Sequence, residues 1–272
     1  MNLTLKKMLT ALLPMLLLMF SSKSHAQVNT ETLRKEDLQP GHHLTLGAQL
    51  NYLHGNSQVL QAKGNGSWYY VLDKGQVILN VNQKLSSKDN ITFVNQGFIH
   101  LRGTRMIDHG LEGELYTQGE YNEFINLQSR QLLGAGLRKT LFTRDSAEHH
   151  PQLGMTLGTG LMFEEERMDA GALGDLGDPI HGEQARLVRA SNYLIVTWTP
   201  EAPWYFTSTS YYQVDTQRLA DFRVLSQSQL KVDLSQRLAL EITWNLRYDS
   251  EPPANIESLD MEISQGLSYR FP

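Results

Sequence analysis

The 272-residue sequence contains no cysteine, and beyond residue 26 it has no apolar run long enough for a transmembrane helix. The missing cysteines exclude a disulfide framework, which is only mildly informative because a domain of this length folds without one. Basic residues are also in deficit, with 24 lysines and arginines against 29 aspartates and glutamates. This balance argues against a nucleic-acid-binding surface and against a polybasic membrane patch.

The first 26 residues have the pattern of a secretory signal peptide. Lys6 and Lys7 precede a short apolar run over residues 9–20, and a small-residue site ends at Ala26. The run is too short and is wrongly flanked for a membrane-spanning anchor. We therefore expect a signal peptide that is cleaved between Ala26 and Gln27. Its removal leaves 21 basic and 29 acidic residues, a formal charge of −8.

The hydropathy of the remaining chain fits two classes of exported protein. The mean hydropathy of the full 272-residue chain, signal segment included, is −0.36, which is typical of a soluble periplasmic protein. A transmembrane β-barrel has a similar composition, because its lipid-facing and lumen-facing residues alternate and cancel in any sliding window. The period of the hydrophobic pattern decides between these two classes.

Beyond residue 42 the sequence alternates with a period of two, as β-strands do and helices do not. Over residues 238–249, every even position is large and apolar and every odd position is polar or alanine. About twelve such runs occur, and the pattern allows 10–14 strands; most runs reach the roughly 9–11 residues that a tilted membrane strand needs. The predicted spans are 43–54, 58–73, 76–88, 91–105, 110–121, 128–142, 151–165, 185–199, 203–215, 221–234, 236–250 and 258–271.

The connections between these runs alternate in length. With the N-terminus in the periplasm, the connections at 73–75 and 200–202 are periplasmic and short, whereas those at 166–184 and 251–257 are extracellular and longer. Short turns on one side and long loops on the other are typical of outer-membrane barrels. Aromatic residues near the strand ends favour interfacial girdles, although aromatic side chains also simply favour strands.

These patterns predict an all-β protein, namely an antiparallel transmembrane β-barrel of about 12 strands. Residues 1–26 are the signal peptide, residues 27–42 have no regular period and form a periplasmic lead-in, and residues 43–272 form the barrel. The expected location is the outer membrane.

Four short motifs carry a resemblance to a known family over residues 43–271. The chain resembles the salt-stress-induced outer-membrane proteins of Gram-negative bacteria, also known as domain of unknown function 481. The resemblance implies an outer-membrane barrel and no particular catalytic or ligand-binding residues. Pro272 and the acidic insert after residue 163 depart from the family pattern. The motifs are Gly55-Asn56-Ser57, Gly134-Ala135-Gly136-Leu137, Arg247-Tyr248-Asp249-Ser250 and Leu267-Ser268-Tyr269-Arg270-Phe271.

Barrels of this size include enzymes, so the histidines are candidate general bases. No acid has an evident orienting role for any of them, and we interpret them as exposed loop residues and predict no catalytic residue. The carboxylates of 164–183 are numerous enough for Ca²⁺, but their spacing does not fit an EF-hand and a solvated extracellular loop explains them equally well. We predict no metal site and no cofactor. The histidines considered are His54, His100, His109, His149, His150 and His181.

Charged residues of both signs alternate with the apolar ones in the last three strands, which places them in the lumen. If these charges leave an aqueous path, the barrel is a narrow porin-like channel for small, and by its arginines anionic, solutes. If they interlock, the barrel is a non-enzymatic envelope protein that contributes to integrity or stress response, and this reading is slightly favoured. A lipid- or peptide-modifying enzyme is the third alternative. The predicted lumen-facing residues are Arg223, Lys231, Arg237, Glu241, Arg247, Asp249, Asp260, Glu262 and Arg270.

The final strand has apolar residues on one face and ends on an aromatic residue. Leu267, Tyr269 and Phe271 form the predicted signal for the barrel-assembly machinery, with Pro272 just beyond the strand because proline offers no backbone N–H. A barrel in lipid must also pair its last strand with its first. The expected partners are this machinery, outer-membrane lipid and lipopolysaccharide, and no nucleic acid.

Overall fold

The computed structural model describes residues 38–55, 58–143, 152–169, 184–199, 203–235, 238–252 and 257–269. The predicted signal peptide, its cleavage between Ala26 and Gln27, and most of the lead-in lie outside these ranges. Arg237, Arg270 and Phe271 also lie outside them. Within the described ranges, no helix is long and apolar enough to cross a membrane.

Twelve strands form the fold, and this confirms the predicted number. Each strand bound lies within three residues of the predicted one, and a short 3-10 helix over Glu123–Ile125 connects β5 to β6. The strands are β1 (Gly41–Leu53), β2 (Val59–Leu72), β3 (Gly75–Lys88), β4 (Ile91–Asp108), β5 (Leu111–Asn122), β6 (Leu127–Thr143), β7 (Gln152–Met168), β8 (Gln184–Thr199), β9 (Trp204–Asp215), β10 (Phe222–Asp233), β11 (Leu238–Asp249) and β12 (Leu259–Tyr269).

All twelve strands belong to one antiparallel sheet whose spatial order equals the chain order. Every strand pairs with its sequence neighbours along nearly its full length; Gly41 to Leu53 of β1, for example, pair with Val71 to Val59 of β2. Local turn chemistry supports this meander. Asp89 and Asn90 connect β3 to β4 and have φ values of 51° and 65°, which matches the two-residue hairpin turn that follows strand twist and favours Asp and Asn. Among the described residues, no ladder joins β1 to β12.

The sheet curls until side chains meet across its concave face. A carboxylate oxygen of Glu114 in β5 accepts a hydrogen bond from the Tyr193 hydroxyl in β8 at 3.2 Å. Arg223 in β10 donates to Glu164 in β7 at 2.7 Å. Backbones three strands apart in a flat sheet lie about 14 Å from each other, so these contacts require a strongly curved wall. The fold is therefore an antiparallel β-barrel with a polar interior.

The two faces of the sheet have opposite chemistry. On the convex face, Leu44, Leu46 and Leu50 are 66%, 74% and 70% exposed. On the concave face, Glu164 and Arg189 are completely buried. A soluble β-sandwich buries its apolar face and exposes its charges. This inverted arrangement is the one expected of a barrel whose exterior is in contact with lipid.

Candidate functional site

The largest polar cluster of the interior is an ion-pair layer near the end of the barrel where the β7–β8 connection emerges. Arg189 forms a two-point contact with Asp221, with Nη1 to Oδ1 at 2.8 Å and Nη2 to Oδ2 at 3.0 Å. Its Nε lies 3.3 Å from Glu164. Planar guanidinium groups suit such two-point recognition of carboxylates. The layer comprises Arg130, Arg189 and Arg223 with Glu120, Glu164, Glu166, Asp221 and Asp249.

Arg223 is the centre of this layer. Its Nε donates to Asp249 at 2.9 Å, and its Nη1 donates to Glu164 at 2.7 Å and to Glu166 at 2.9 Å. Arg130 contacts Glu166 from the other side and donates to Glu120 at 2.6 Å. Buried charges are tolerated only when paired and hydrogen-bonded. The side chains of the layer therefore fill this part of the interior, and their charges neutralise one another.

A second polar group fills the interior below the ion-pair layer. Arg102 lies 3.3 Å from Glu114 and stacks 5.3 Å from the ring centre of Tyr116, and Arg138 donates to Glu112 at 3.2 Å. A cavity lined by Arg102, Glu114 and Tyr116 measures about 30 Å³. That volume holds about two water molecules, so this part of the interior offers water space but no wide pore.

Glycines on neighbouring strands make room for the rings that fill this region. A Cβ added at Gly158 would lie 2.1 Å from the ring of Tyr193, and one added at Gly134 would lie 2.3 Å from the ring of Tyr116. Glycine within a strand often marks such a close approach. The glycines of the Gly134-Ala135-Gly136 motif therefore serve interior packing.

The opposite wall of the interior is formed by β1–β3 and has a different composition. The three strands contain no aspartate or glutamate. The register places Lys63 of β2 directly opposite Lys84 of β3, and Gln96 of β4 continues the same row. These residues share the face of His100 and Arg102, which line the interior cavity. We call the concave face of β1–β3 the lysine wall.

The structure places most of the predicted lumen-facing residues on the concave face. Arg223 and Asp249 belong to the ion-pair layer, and Arg247 lies 3.8 Å from Asp249. The register carries this face onto β12, where Asp260 is opposite Arg247 and Glu262 is opposite Asn245. In β10 and β11 the concave residues Lys231 and Glu241 are directly opposite each other.

Two predictions about interior residues were wrong. Glu164 and Glu166 were assigned to an acidic extracellular segment, but β7 continues to Met168 and both side chains are buried, while Glu165 between them faces outward and pairs with Arg186 at 3.3 Å. Three consecutive acids conceal the alternation that places two of them inside. The rest of the acidic segment, 170–183, lies outside the described residues.

The second wrong prediction concerns His100, which was interpreted as an exposed loop residue. It lies within β4, is 2% exposed, and its Nδ1 is 3.1 Å from Gln118. His109 is exposed as predicted; its Nδ1 lies 3.0 Å from Asp108, and its backbone oxygen accepts a hydrogen bond from Lys139. Within the described ranges, no three His, Asp or Glu side chains are arranged to hold a metal ion.

Sequence reasoning also missed the charges of β4–β8 and the lysine pair. The alternation of 91–142 is less clean than that of the last strands, which hid Arg102, Glu114 and Arg130. The sequence did contain a signal from which the lysine pair could be predicted. A two-residue turn at Asp73-Lys74 fixes the register of β2 against β3, and counting back from it places Lys63 opposite Lys84.

Comparisons with known proteins give a family match and one structural neighbour for this chain. The family model described as "Protein of unknown function, DUF481" matches residues 44–271. No curated protein matches the chain at a significant level. Among solved structures, the chain is similar to "NanC porin structure in rhombohedral crystal form", with 10% sequence identity, a TM-score of 0.43, and coverage of 84% of this chain and 99% of that one.

Proposed function

The chain belongs to the DUF481 family, and we propose that it is a non-enzymatic outer-membrane β-barrel that forms a narrow, one-sided channel for small solutes. The observation that carries this proposal is the difference between the two halves of the interior. The concave face of β5–β10 is closed by buried ion pairs. The lysine wall presents partly exposed polar side chains that no carboxylate of its own strands neutralises.

The outer-membrane location is supported by the convex face. Leucines such as Leu133, Leu137 and Leu161 are 56%, 48% and 57% exposed and alternate with buried inward residues. In water, an apolar surface of this extent would drive aggregation. In a bilayer it matches the surrounding hydrocarbon, and only a closed sheet satisfies its backbone there. The proposal therefore includes pairing of β1 with β12, lipopolysaccharide and lipid contacts, and delivery by the barrel-assembly machinery.

A bilayer recording tests the channel. The refolded full chain should give reproducible unit steps of current, smaller than those of sixteen-stranded porins, because a barrel of twelve strands is narrower and buried ion pairs occupy part of its interior. A folded protein that inserts into the bilayer and gives no current would overturn the channel. Folding and insertion are checked independently by slower gel migration after heating and by protection of the strands from protease in liposomes.

The ion-pair layer favours a second candidate function. Its side chains interlock across β5–β10, and the cavity below it measures only about 30 Å³. If the interlocking extends across the whole interior, the protein is a structural barrel that contributes to envelope integrity without passing solutes. Deletion of the protein would then raise the permeability of the envelope to detergents, whereas loss of a channel would lower solute uptake.

A further inference from the structure

The lysine wall contains an unusual pair of like charges. Lys63 and Lys84 are directly opposite each other in adjacent antiparallel strands, where Cβ atoms lie about 5 Å apart. Like charges in this arrangement destabilise a sheet. Neither lysine has a carboxylate within 4.0 Å among the described residues, and Lys88 at the end of β3 extends the positive charge along the same face.

Outside the lysine wall, the concave cations of the described strands are all paired. Arg102, Arg138 and Arg247 lie 3.3, 3.2 and 3.8 Å from a carboxylate, and Lys231 lies 3.7 Å from Asp233. The three arginines of the ion-pair layer contact at least two carboxylates each. A fold that neutralises seven concave cations in this way leaves the lysines of the wall, Lys63, Lys84 and Lys88, as exceptions.

Among the described residues, the surroundings of the pair supply no carboxylate within 4.0 Å. The strands β1–β3 contain no acid, and in β4 the one acid is Asp108 at its last position. Once β1 pairs with β12, the nearest concave carboxylates on β12 are separated from Lys63 by β1, about 10 Å away at the backbone. An external anion would offset the repulsion that the sheet does not relieve.

Uncharged hydrogen-bonding groups surround the lysines. Gln49 and Gln96 continue the same row on either side, and Asn65 and Asn82 are opposite each other in the next row, about 7 Å away. Amide groups both donate and accept hydrogen bonds, which suits hydroxyl groups.

Buried polar atoms without a protein partner lie along the border with β4. Gln96 Oε1, both amide atoms of Asn80 and His100 Nε2 are buried and have no hydrogen-bond partner among the described residues. Asn80 and His100 are each 2% exposed and are directly opposite each other. Leaving such atoms unpaired costs about 1–3 kcal/mol each. These unpaired groups border the lysine wall, and they are an observation independent of the lysine charges.

We propose that Lys63 and Lys84 form a binding site for the anionic group of a small hydroxylated solute, with the amides of β1–β4 binding its hydroxyl groups. This site rests on the proposed channel in one respect only, namely that solute reaches the concave face from water. It differs from the sequence-based expectation of anion preference through lumenal arginines, because Arg223 and Arg247, the described members of that set, lie beside carboxylates.

The binding experiment uses the refolded full chain in detergent and three probes: glucuronate, glucose 6-phosphate and glucose. Calorimetric titration should show that an anionic probe binds more tightly than glucose. The variant Lys63→Gln/Lys84→Gln lacks two weak charge contacts. Its affinity for the anionic probe should fall roughly ten-fold, and its affinity for glucose should not change. The glucuronate and glucose 6-phosphate arms show whether a carboxylate or a phosphate is preferred.

The matched control is Lys74→Gln/Lys139→Gln, which removes the same charge. Lys74 lies in the β2–β3 turn, and Lys139 is exposed and donates to the backbone of His109. This variant should bind all probes as the original protein does. Equal affinity for anionic and neutral probes, or unchanged anion affinity in Lys63→Gln/Lys84→Gln with a normal heat-dependent gel shift, would overturn the site.

A bilayer experiment separates failure of the site from failure of the channel. Under a KCl gradient, the reversal potential of the original protein should favour chloride, and Lys63→Gln/Lys84→Gln should shift it towards potassium. Anion binding in detergent without any unit current supports the site and rejects the channel. If unit currents occur without anion binding, and the original protein and Lys63→Gln/Lys84→Gln have the same reversal potential, the channel is supported and the site is rejected.

Discussion

The two halves of the barrel interior use charge in opposite ways. In β5–β10, Arg223 and its neighbours are buried and each guanidinium is surrounded by carboxylates. In the lysine wall, Lys63 and Lys84 face each other, and among the described residues neither has a carboxylate within 4.0 Å. Buried charges that neutralise one another rigidify a region, whereas an unneutralised charge beside open space attracts ions. The comparison indicates two roles. The ion-pair layer stabilises the barrel and fills its part of the interior, whereas the lysine wall interacts with solute.

The largest effect is expected from removing the centre of the ion-pair layer. Arg223→Ala leaves Glu164, Glu166 and Asp249 buried with too little positive charge, and should lower the free energy of unfolding by about 3–5 kcal/mol. Denaturant titration of the refolded protein in detergent measures this change. The matched control is Arg186→Ala, because Arg186 has the same chemistry on the outside, 64% exposed and 3.3 Å from Glu165. Arg186→Ala should lower the free energy of unfolding by less than about 1 kcal/mol. Equal losses in the two variants would remove the distinction between interior and exterior pairs.

The next effect concerns the edge where the lysine wall begins. Because the chain has no cysteine, any disulfide must form between introduced residues. Cysteine pairs that combine Leu46 or Leu50 of β1 with Met261, Ile263 or Leu267 of β12 should cross-link in the membrane at one register, and should raise the free energy of unfolding by about 2–4 kcal/mol. Non-reducing gels measure the yield. Pairs that combine Leu50 with Leu133 of β6 serve as the control; if no β1–β12 pair exceeds their yield, the barrel does not close there.

A smaller effect on stability distinguishes the filled part of the interior from the open part. Gly158→Ala would place a Cβ 2.1 Å from the Tyr193 ring, whereas a Cβ at Gly266 of β12, also on the concave face, meets no atom within 4 Å among the described residues. Overpacking at Gly158 should cost about 1–3 kcal/mol. Gly266→Ala should be neutral or slightly stabilising, because alanine restricts the unfolded chain. Thermal unfolding in detergent compares the two, and similar losses would mean that the interior is packed as tightly at β12 as at β7.

Much of the fold was predictable because its signal is local. The alternation of Leu238 to Asp249 can be recognised without knowing any other strand, and a period of two fixes which side chains share a face. The same locality explains why twelve strands could be counted from runs and turns. Closure is not local, and the pairing of β1 with β12 stays a prediction.

The interior site was less predictable because its contacts depend on curvature and register. Arg223 reaches Glu164 across two intervening strands, and no spacing in the sequence encodes that distance. Glu164 and Glu166 were missed for a different reason, since an acidic run resembles a loop when Glu165 is read with them. The lysine pair depends on a single hairpin register, which the short turn after Leu72 determines. It was therefore within reach of sequence reasoning.

The smallest expected effect has the opposite sign to the first. Lys63→Gln removes one member of a like-charge pair, and should raise the free energy of unfolding by about 0.2–1 kcal/mol at low ionic strength. The gain should shrink with added salt, because the Debye length falls to about 10 Å at 0.1 M and to about 3 Å at 1 M. Denaturant titrations at both ionic strengths measure it, with Lys231→Gln as control, because Lys231 lies on the same face beside Asp233. A loss of stability in Lys63→Gln would show that this lysine is paired in solution, and the two halves would then use charge in the same way.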